Sequence, residues 1–400
     1  MSVRTTLAFA LSAAAFAALS APGQAASAQA AGAPFSASGD ISTFGELAYP
    51  EASGGLSSSA AATGNCLSTL RLSGQGQSIM FHLTLDAAVE SPVSPASGPS
   101  EAANALLLDV REAETSLLAS SSLSLRGGML LRNFGIGSYG SPANPFARDE
   151  ESLQGGYWGV DAEWTPSQAL SAIAILSADR AARSGVFSGA EDLDAGILAR
   201  YTPGALDGAL GLYASGWGGG ELRPVGYASL PLLGLLASLE AAVSFPADLA
   251  QGTGGRKPTE SLRFELRKSA ELGELSLQLG AAYRGIYPGR DQGEVASLVA
   301  ASAYSGLPPD PFAPFYGRHY AELSIYAEKT DAFSASAAAD IALPWGSVSG
   351  EAKLEFYIGD ATLFLRVQGV AGESGGEFDG LAAAEAIPAL DLRVGVDFSF

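Results

Sequence analysis

Two glycine-rich patterns in this 400-residue chain carry the spacing of known catalytic or cofactor loops. Gly372-Glu373-Ser374-Gly375-Gly376 has the Gly-x-Ser-x-Gly spacing of a nucleophile elbow, which needs a strand-to-helix turn and a histidine base. Its flanks at 361–370 and 377–386 both read as strands, so a hairpin loop is the favoured reading and catalysis the weaker one. Gly135, Gly137 and Gly140 have the spacing of a dinucleotide fingerprint, but Pro142 and Pro145 prevent the helix that must follow. His82 alternates onto the polar face of its strand and His319 stands at a strand mouth. A hydrolase would need one of them bonded to a nucleophile and oriented by an acid, and the sequence places neither partner. Asp149, Glu150 and Glu151, and Glu191, Asp192 and Asp194, offer carboxylate oxygens of the kind calcium takes. No EF-hand or nonapeptide repeat accompanies them, and a solvated charged rim is the plainer reading. No enzyme, cofactor or metal is therefore expected.

The composition excludes further classes. Lys and Arg total 22 against 42 Asp and Glu, a net charge of −20 that removes any case for nucleic-acid binding. One cysteine, Cys66, and two histidines leave neither a disulfide framework nor a Cys/His zinc site. Residues are 47% hydrophobic and only 16% charged, with a mean hydropathy of +0.19. That is too apolar for disorder and poorer in charge than the roughly 25% of an ordinary soluble domain. Yet beyond the first 30 positions no run of about 20 apolar residues escapes interruption by Gly, Pro, Ser or a charge, so membrane helices are not expected.

Period-two alternation resolves that contradiction. In 390–400, Leu390, Leu392, Val394, Val396, Phe398 and Phe400 share one face, and Asp391, Arg393, Gly395, Asp397 and Ser399 the other. The same register recurs at 361–369, with Phe364 as an exception, and at 347–357, 261–267, 274–284 and 78–89. A soluble sandwich hiding so many apolar faces in one domain of this length would be unusually large. A closed barrel in lipid accepts the outward faces and leaves no open edge.

Segmentation gives nineteen candidates, near 35–49, 66–74, 78–90, 105–115, 121–134, 154–164, 169–177, 192–201, 207–217, 221–230, 234–245, 259–268, 274–287, 316–327, 331–342, 345–357, 361–370, 377–386 and 390–400. Long connections at 50–65, 91–104, 135–153, 178–191, 246–258 and 288–315 alternate with short turns, the pattern of outer loops and periplasmic turns. A chain with both ends in the periplasm needs an even count, so one segment after 316 is surplus. The expectation is an all-β, transmembrane, antiparallel up-and-down barrel of about 18 strands, with 16 as the alternative.

The first thirty residues read as a secretory leader: Arg4, the apolar stretch Leu7 to Leu19, then a small-x-small site at Ala28-Gln29-Ala30. Its removal takes the net charge from −20 to −21, because Arg4 is the one charge it carries. The expected organisation is a cleaved signal peptide over 1–30 and a single barrel over 31–400 in the outer membrane.

An export signal followed by an alternating strand that ends in Phe400 resembles the closing strand of bacterial outer-membrane β-barrels. That resemblance implies an assembly signal at Phe398 and Phe400, read by the barrel-assembly machinery. Between 108 and 166, Arg111-Glu112-Ala113, Leu123, Leu125, Arg126, Gly128, Gly135, Asn144-Pro145 and Glu163-Trp164-x-Pro166 resemble porin-like outer-membrane families. Where many members have Gly-Arg-Gln, this chain has Arg126-Gly127-Gly128-Met129. The overall cast also resembles spirochaete outer-membrane proteins. These likenesses imply a passive porin-like channel for small hydrophilic solutes and ions.

Alternation names the pore-lining candidates: Arg126, Arg132, Asp161, Glu163, Arg200, Arg263, Glu265, Arg267, Arg284, Arg318, Glu322, Glu351, Lys353, Glu355 and Arg366, with Glu240 among them. Opposed rows of Arg and carboxylate would set a transverse field and ion preference, or simply pair across neighbouring strands and hold the wall. Trp158, Trp164, Trp217, Tyr283, Tyr287 and Trp345 fall near strand ends, where aromatic girdles belong. The net acidity predicts mild cation preference. The alternative function is a surface-exposed structural or adhesive barrel, with 288–315 either a working surface or an inward plug.

Overall fold

The computed structural model describes residues 35–49, 51–52, 55–56, 61–75, 79–93, 105–130, 141–146, 157–178, 189, 192–216, 220–246, 257–289, 317–343, 347–372, 377–378 and 389–399. Eighteen strands build the barrel. They are β1 Phe35–Tyr49, β2 Ala61–Gln75, β3 Ile79–Val93, β4 Ala105–Ser120, β5 Leu123–Leu130, β6 Tyr157–Ser167, β7 Leu170–Ser177, β8 Asp194–Tyr201 and β9 Asp207–Ser215. The second half is β10 Glu221–Leu232, β11 Leu235–Pro246, β12 Thr259–Leu272, β13 Leu275–Tyr287, β14 His319–Lys329, β15 Phe333–Leu343, β16 Ser347–Ile358, β17 Ala361–Ala371 and β18 Leu390–Ser399. A two-residue hairpin, Glu51–Ala52 with Gly55–Leu56, stands apart in the first long connection.

Each strand pairs antiparallel with its sequence neighbours, and β18 returns to β1, with Asp40 opposite Ser399 and Tyr49 opposite Leu390. Closure satisfies every ladder without an edge, the condition for spanning lipid with strands. The eighteen-strand reading is thus correct, and the surplus segment was 377–386. Its described residues, Glu377 and Phe378, form a helical turn packed on the wall rather than a strand.

Directly paired residues point to the same face, so the register sorts inside from outside around the whole ring. Outward positions are apolar: Leu210 is 75% exposed, Ile197 and Val394 55% each. Among the described outward positions, charge or imidazole occurs only near strand ends, at Glu260, Lys268, His319 and Lys329. Trp158, Trp164, Tyr283 and Tyr287 face outward near strand ends; Trp217 and Trp345 lie outside the described residues.

Turn chemistry is local. Leu232 pairs with Leu235, leaving Leu233 and Gly234 at φ 54° and 77° as the two positive-φ residues that a tight hairpin matched to strand twist requires. Gly128 has a different reason to be glycine: its φ is 128°, and a Cβ there would run into the Ala113 carbonyl oxygen on β4. The exception at Phe364 also has a physical cause. Phe364 turns inward and meets Phe44 across Gly395, ring centroids 6.2 Å apart; a Cβ on Gly395 would stand 2.7 Å from the Phe364 ring and 2.6 Å from the Phe44 Cβ.

The buried apolar cluster sits inside the barrel, its largest part on the wall β7–β11 and a smaller part, Ile286, Tyr320 and Ala342, on β13–β15 against Phe378. Ile173, Ile175, Leu198, Ala209, Val225 and Ala242 all occupy inward positions of β7–β11. Water would be a poor neighbour for them. They are roofed by the connection between β5 and β6, whose described part, residues 141–146, enters the barrel and buries Ala143 and Phe146 at 0% and 3% exposure.

Candidate functional site

The lumen is therefore asymmetric: a dry wall covered by an inward loop, and a charged wall beside it. Phe146 anchors the loop, its ring edge-on to Tyr213 at 5.3 Å and tilted against Tyr157 at 5.6 Å. The Arg223 guanidinium lies 5.3 Å over the Tyr213 ring and pairs with Glu221 at 2.5 Å. At the loop's start the Ser141 hydroxyl donates to the Glu240 carboxylate and also accepts the Ala143 backbone N–H. Glu240 is 2% exposed and on β11, so this bond fastens the loop to the charged wall.

From Glu240 the charges run across four strands. Glu240 is directly opposite Arg263 on β12, and Arg263 opposite Arg284 on β13. Arg263 donates Nη1 to Glu240 and Glu265 at 3.1 Å each and Nε to Glu322 at 2.7 Å. Glu322, on β14, also accepts Nε of Arg284 at 2.8 Å, and Arg267 reaches Glu265 at 2.8 Å. One inward step toward the turns, the pairing continues Glu265, Ala282, Glu322, Asp340, Ser349 through β16. Two nearly buried arginines side by side would be costly alone; Glu322, shared by both, and Glu240 and Glu265 on Arg263 offset that cost.

A second knot lies on β4–β6. Arg126 forks onto Asp161, Nε to Oδ1 at 3.1 Å and Nη2 to Oδ2 at 2.6 Å, while Nη1 takes Glu114 at 3.1 Å. Next to it His82 pairs with Glu112 at 3.1 Å, and Thr84 stands between the two. A register slip opposite Thr84 and Leu85 passes over Arg111, so the Arg-Glu-Ala motif is a β-bulge with Glu112 facing the lumen. Its resemblance partner Arg126 is thereby engaged in the wall.

The other candidates fall as follows. Arg200 forks onto Asp207 at 2.6 and 2.8 Å, Arg366 meets Glu351 at 2.7 Å, and Lys353 meets Glu355 at 2.9 Å. Arg318 donates to the Gly289 carbonyl at 3.0 Å. Glu163 faces inward opposite Ser124 and Ile173. Arg132, Phe400, Ser374, the Gly135–Gly140 pattern, residues 149–151 and Glu191 lie outside the described residues, as does all of 290–316. Asp194 accepts from the Tyr213 hydroxyl at 3.3 Å. His319 is on the outward face, its Nδ1 2.7 Å from the Tyr283 hydroxyl, and so takes no part in the lumen. Phe398 is outward, opposite Ile41 and Ala361.

Sequence reading missed several members. Arg71 pairs with Asp40, and Arg393 bridges Asp391 at 2.9 Å and Glu46 at 3.4 Å across the closing seam. A second loop also docks inside the mouth: Glu377 accepts from the Tyr320 hydroxyl and the Gly317 N–H, and Phe378 packs on Tyr320, centroids 6.4 Å apart. The inward parity of Glu46, Arg71 and Arg393 was readable; the docking of residues 141–146 and 377–378 was not.

Solved structures now place this architecture. Acinetobacter baumannii OccAB1 superposes with a TM-score of 0.56 at 12% identity, over 91% of this chain and 96% of its own. Pseudomonas aeruginosa OccK5 (OpdH) gives 0.55 at 12%, over 92% and 98%. The fold is that of the Occ/Opd outer-membrane porins. Pseudomonas aeruginosa OpdK, solved with vanillate, shares it at 0.52 and 10% identity, over 91% and 98%. No protein-family model matches the chain, and no curated protein does. The Occ/Opd porin likeness is one of shape, and the likeness to spirochaete proteins remains an expectation of the sequence alone.

Proposed function

We propose that the chain is a passive diffusion channel of the outer membrane for small hydrophilic solutes and ions. One observation carries this reading: an eighteen-stranded closed barrel whose outward face is apolar and whose inward face carries hydrogen-bonded charge, narrowed by an internal loop. Barrels of about this strand number leave an aqueous channel. Delivery would follow from the leader over 1–30, cleaved after Ala30, and from recognition of the last strand, with Phe398 and Phe400, by the barrel-assembly machinery.

Mild cation preference belongs to the same reading. It is supported by the wall itself, where each of Arg126, Arg200, Arg263, Arg267, Arg284, Arg366 and Arg393 is held by carboxylate. Inward carboxylates such as Glu112, Asp340 and Asp397 add to that balance. A ring of charge with excess carboxylate favours cations. Swelling of liposomes containing the refolded protein tests the reading: small neutral sugars should enter faster than into protein-free vesicles, and equal rates would reject it.

A further inference from the structure

One inward carboxylate of the charged wall has been left over. Asp340 lies on β15, directly opposite Glu322 on one side and Ser349 on the other. Among the described residues it makes no hydrogen bond or ion pair, although Glu322 next to it holds two arginines. The nearest guanidinium groups are already committed, Arg263 to three carboxylates and Arg284 to Glu322. A half-buried carboxylate with no hydrogen bond or ion pair of its own carries a desolvation cost.

Immediately on the turn side of Asp340 the wall is recessed. The cavity holds about 440 Å³ and is lined by Arg267, Gln278, Gly280, Ser324, Tyr326 and Glu351. Gly280 lets the Ser324 hydroxyl lie against the floor of the recess, in the space a Cβ at 280 would need. The volume lies within the range of small-molecule sites, roughly 300–1,000 Å³. Its charge selects the sign of the ligand. Arg267 is paired with Glu265 and Glu351 with Arg366, which leaves Asp340, one inward position along β15 from the lining residue Ala338, as the carboxylate beside the recess without an ion pair. A bare divalent ion would want six or more oxygen ligands, which one carboxylate and scattered hydroxyls do not supply. A protonated amine needs one carboxylate and room for its carbon body.

We propose that Asp340 and the recess beneath it form a docking site for a small solute bearing a protonated amine, the ammonium pairing with Asp340 and the body lying along Gln278, Ser324 and Tyr326. The site rests on the channel reading and names the solute class for it. Such a site would hold an amine briefly at the charged wall beside the loop anchored on Glu240.

The test is block of single-channel current through the full refolded protein in planar bilayers by n-butylammonium, with n-butanol as the neutral analogue. Wild type should show concentration-dependent block by butylammonium and none by butanol. Asp340→Asn, and Asp340→Ser should the first fold poorly, should weaken the block about tenfold, equivalent to about 1.4 kcal/mol. Glu271→Gln removes the same unit charge at the exposed turn end of β12 and should leave the block unchanged. Conducting channels with equal block in wild type and both Asp340 variants would overturn the site, as would an equal loss in Glu271→Gln, which would make net charge the cause. Absence of current steps in wild type would instead overturn the channel reading, and the site with it.

Discussion

Truncation of Phe146 isolates the inward loop from the barrel that holds it. Phe146 is 3% exposed and clasped by Tyr157 and Tyr213, and residues 141–146 join no strand ladder. Removing a buried phenyl ring to Ala costs about 3–5 kcal/mol in a packed site. Here that loss falls on the equilibrium between docked and undocked loop, because the wall beneath keeps its ladder hydrogen bonds. Taking about 3 kcal/mol, at about 1.4 kcal/mol per factor of ten, the docked-to-undocked ratio drops by roughly two orders of magnitude. The Ser141 bond to Glu240 remains as a second tether, worth about 1.5–3 kcal/mol for a hydrogen bond to a charged group. Phe146→Ala should therefore raise the mean single-channel conductance and add open-channel noise, and Phe146→Ala with Ser141→Ala should widen the pore further. The barrel itself should survive, read as an unchanged heat-modifiable shift on a gel. A folded double variant with wild-type conductance and noise would refute the assignment of 141–146 as the constriction.

Two further substitutions probe the faces and the seam. Ala339→Arg places a guanidinium on the outward face of β15 and should destabilise the folded barrel by about 2–4 kcal/mol in urea titrations in lipid, whereas Ala338→Arg, one residue away on the inward face, should fold normally; equal stabilities would reverse the inside–outside assignment. Gly395→Val adds atoms where even a Cβ would crowd the Thr43 carbonyl oxygen, the Phe44 Cβ and the Phe364 ring, and should cost about 1–3 kcal/mol through the β18–β1 seam. Partial recovery of stability in Gly395→Val on adding Phe364→Ala would locate part of the strain at the Phe364 ring, and no recovery would argue against it.

Much of the barrel was legible because its outward face is a solvent boundary with one chemistry. Leu390 to Phe398 alternates cleanly, since lipid accepts only apolar side chains at every second position. The inward face has no such uniform demand, and there the sequence reads poorly. On β7, Ile173 and Ile175 face inward, so Leu-Ser-Ala-Ile-Ala-Ile-Leu-Ser shows little alternation; their burial depends on a loop thirty residues away in the chain. On β15 the run Ala335 to Ala339 hides the parity of Asp340, because alanine occupies both faces. The surplus segment at 377–386 arose likewise: Glu377 and Phe378 are bound by Tyr320 and Ser347 on distant strands, a contact that local pattern does not encode. Charge pairing was foreseen only as one of two outcomes. The register decides it, placing Arg126 opposite Asp161 and Arg263 opposite Glu240.

Ion permeation through single channels in planar bilayers tests the central claim most directly, with reversal potentials recorded across a salt gradient. A conducting lumen lined with excess carboxylate predicts discrete current steps and a reversal potential displaced toward that of the cation. A folded, membrane-inserted barrel giving no steps would contradict the channel itself, and steps reversing toward the anion would contradict the charge assigned to its wall.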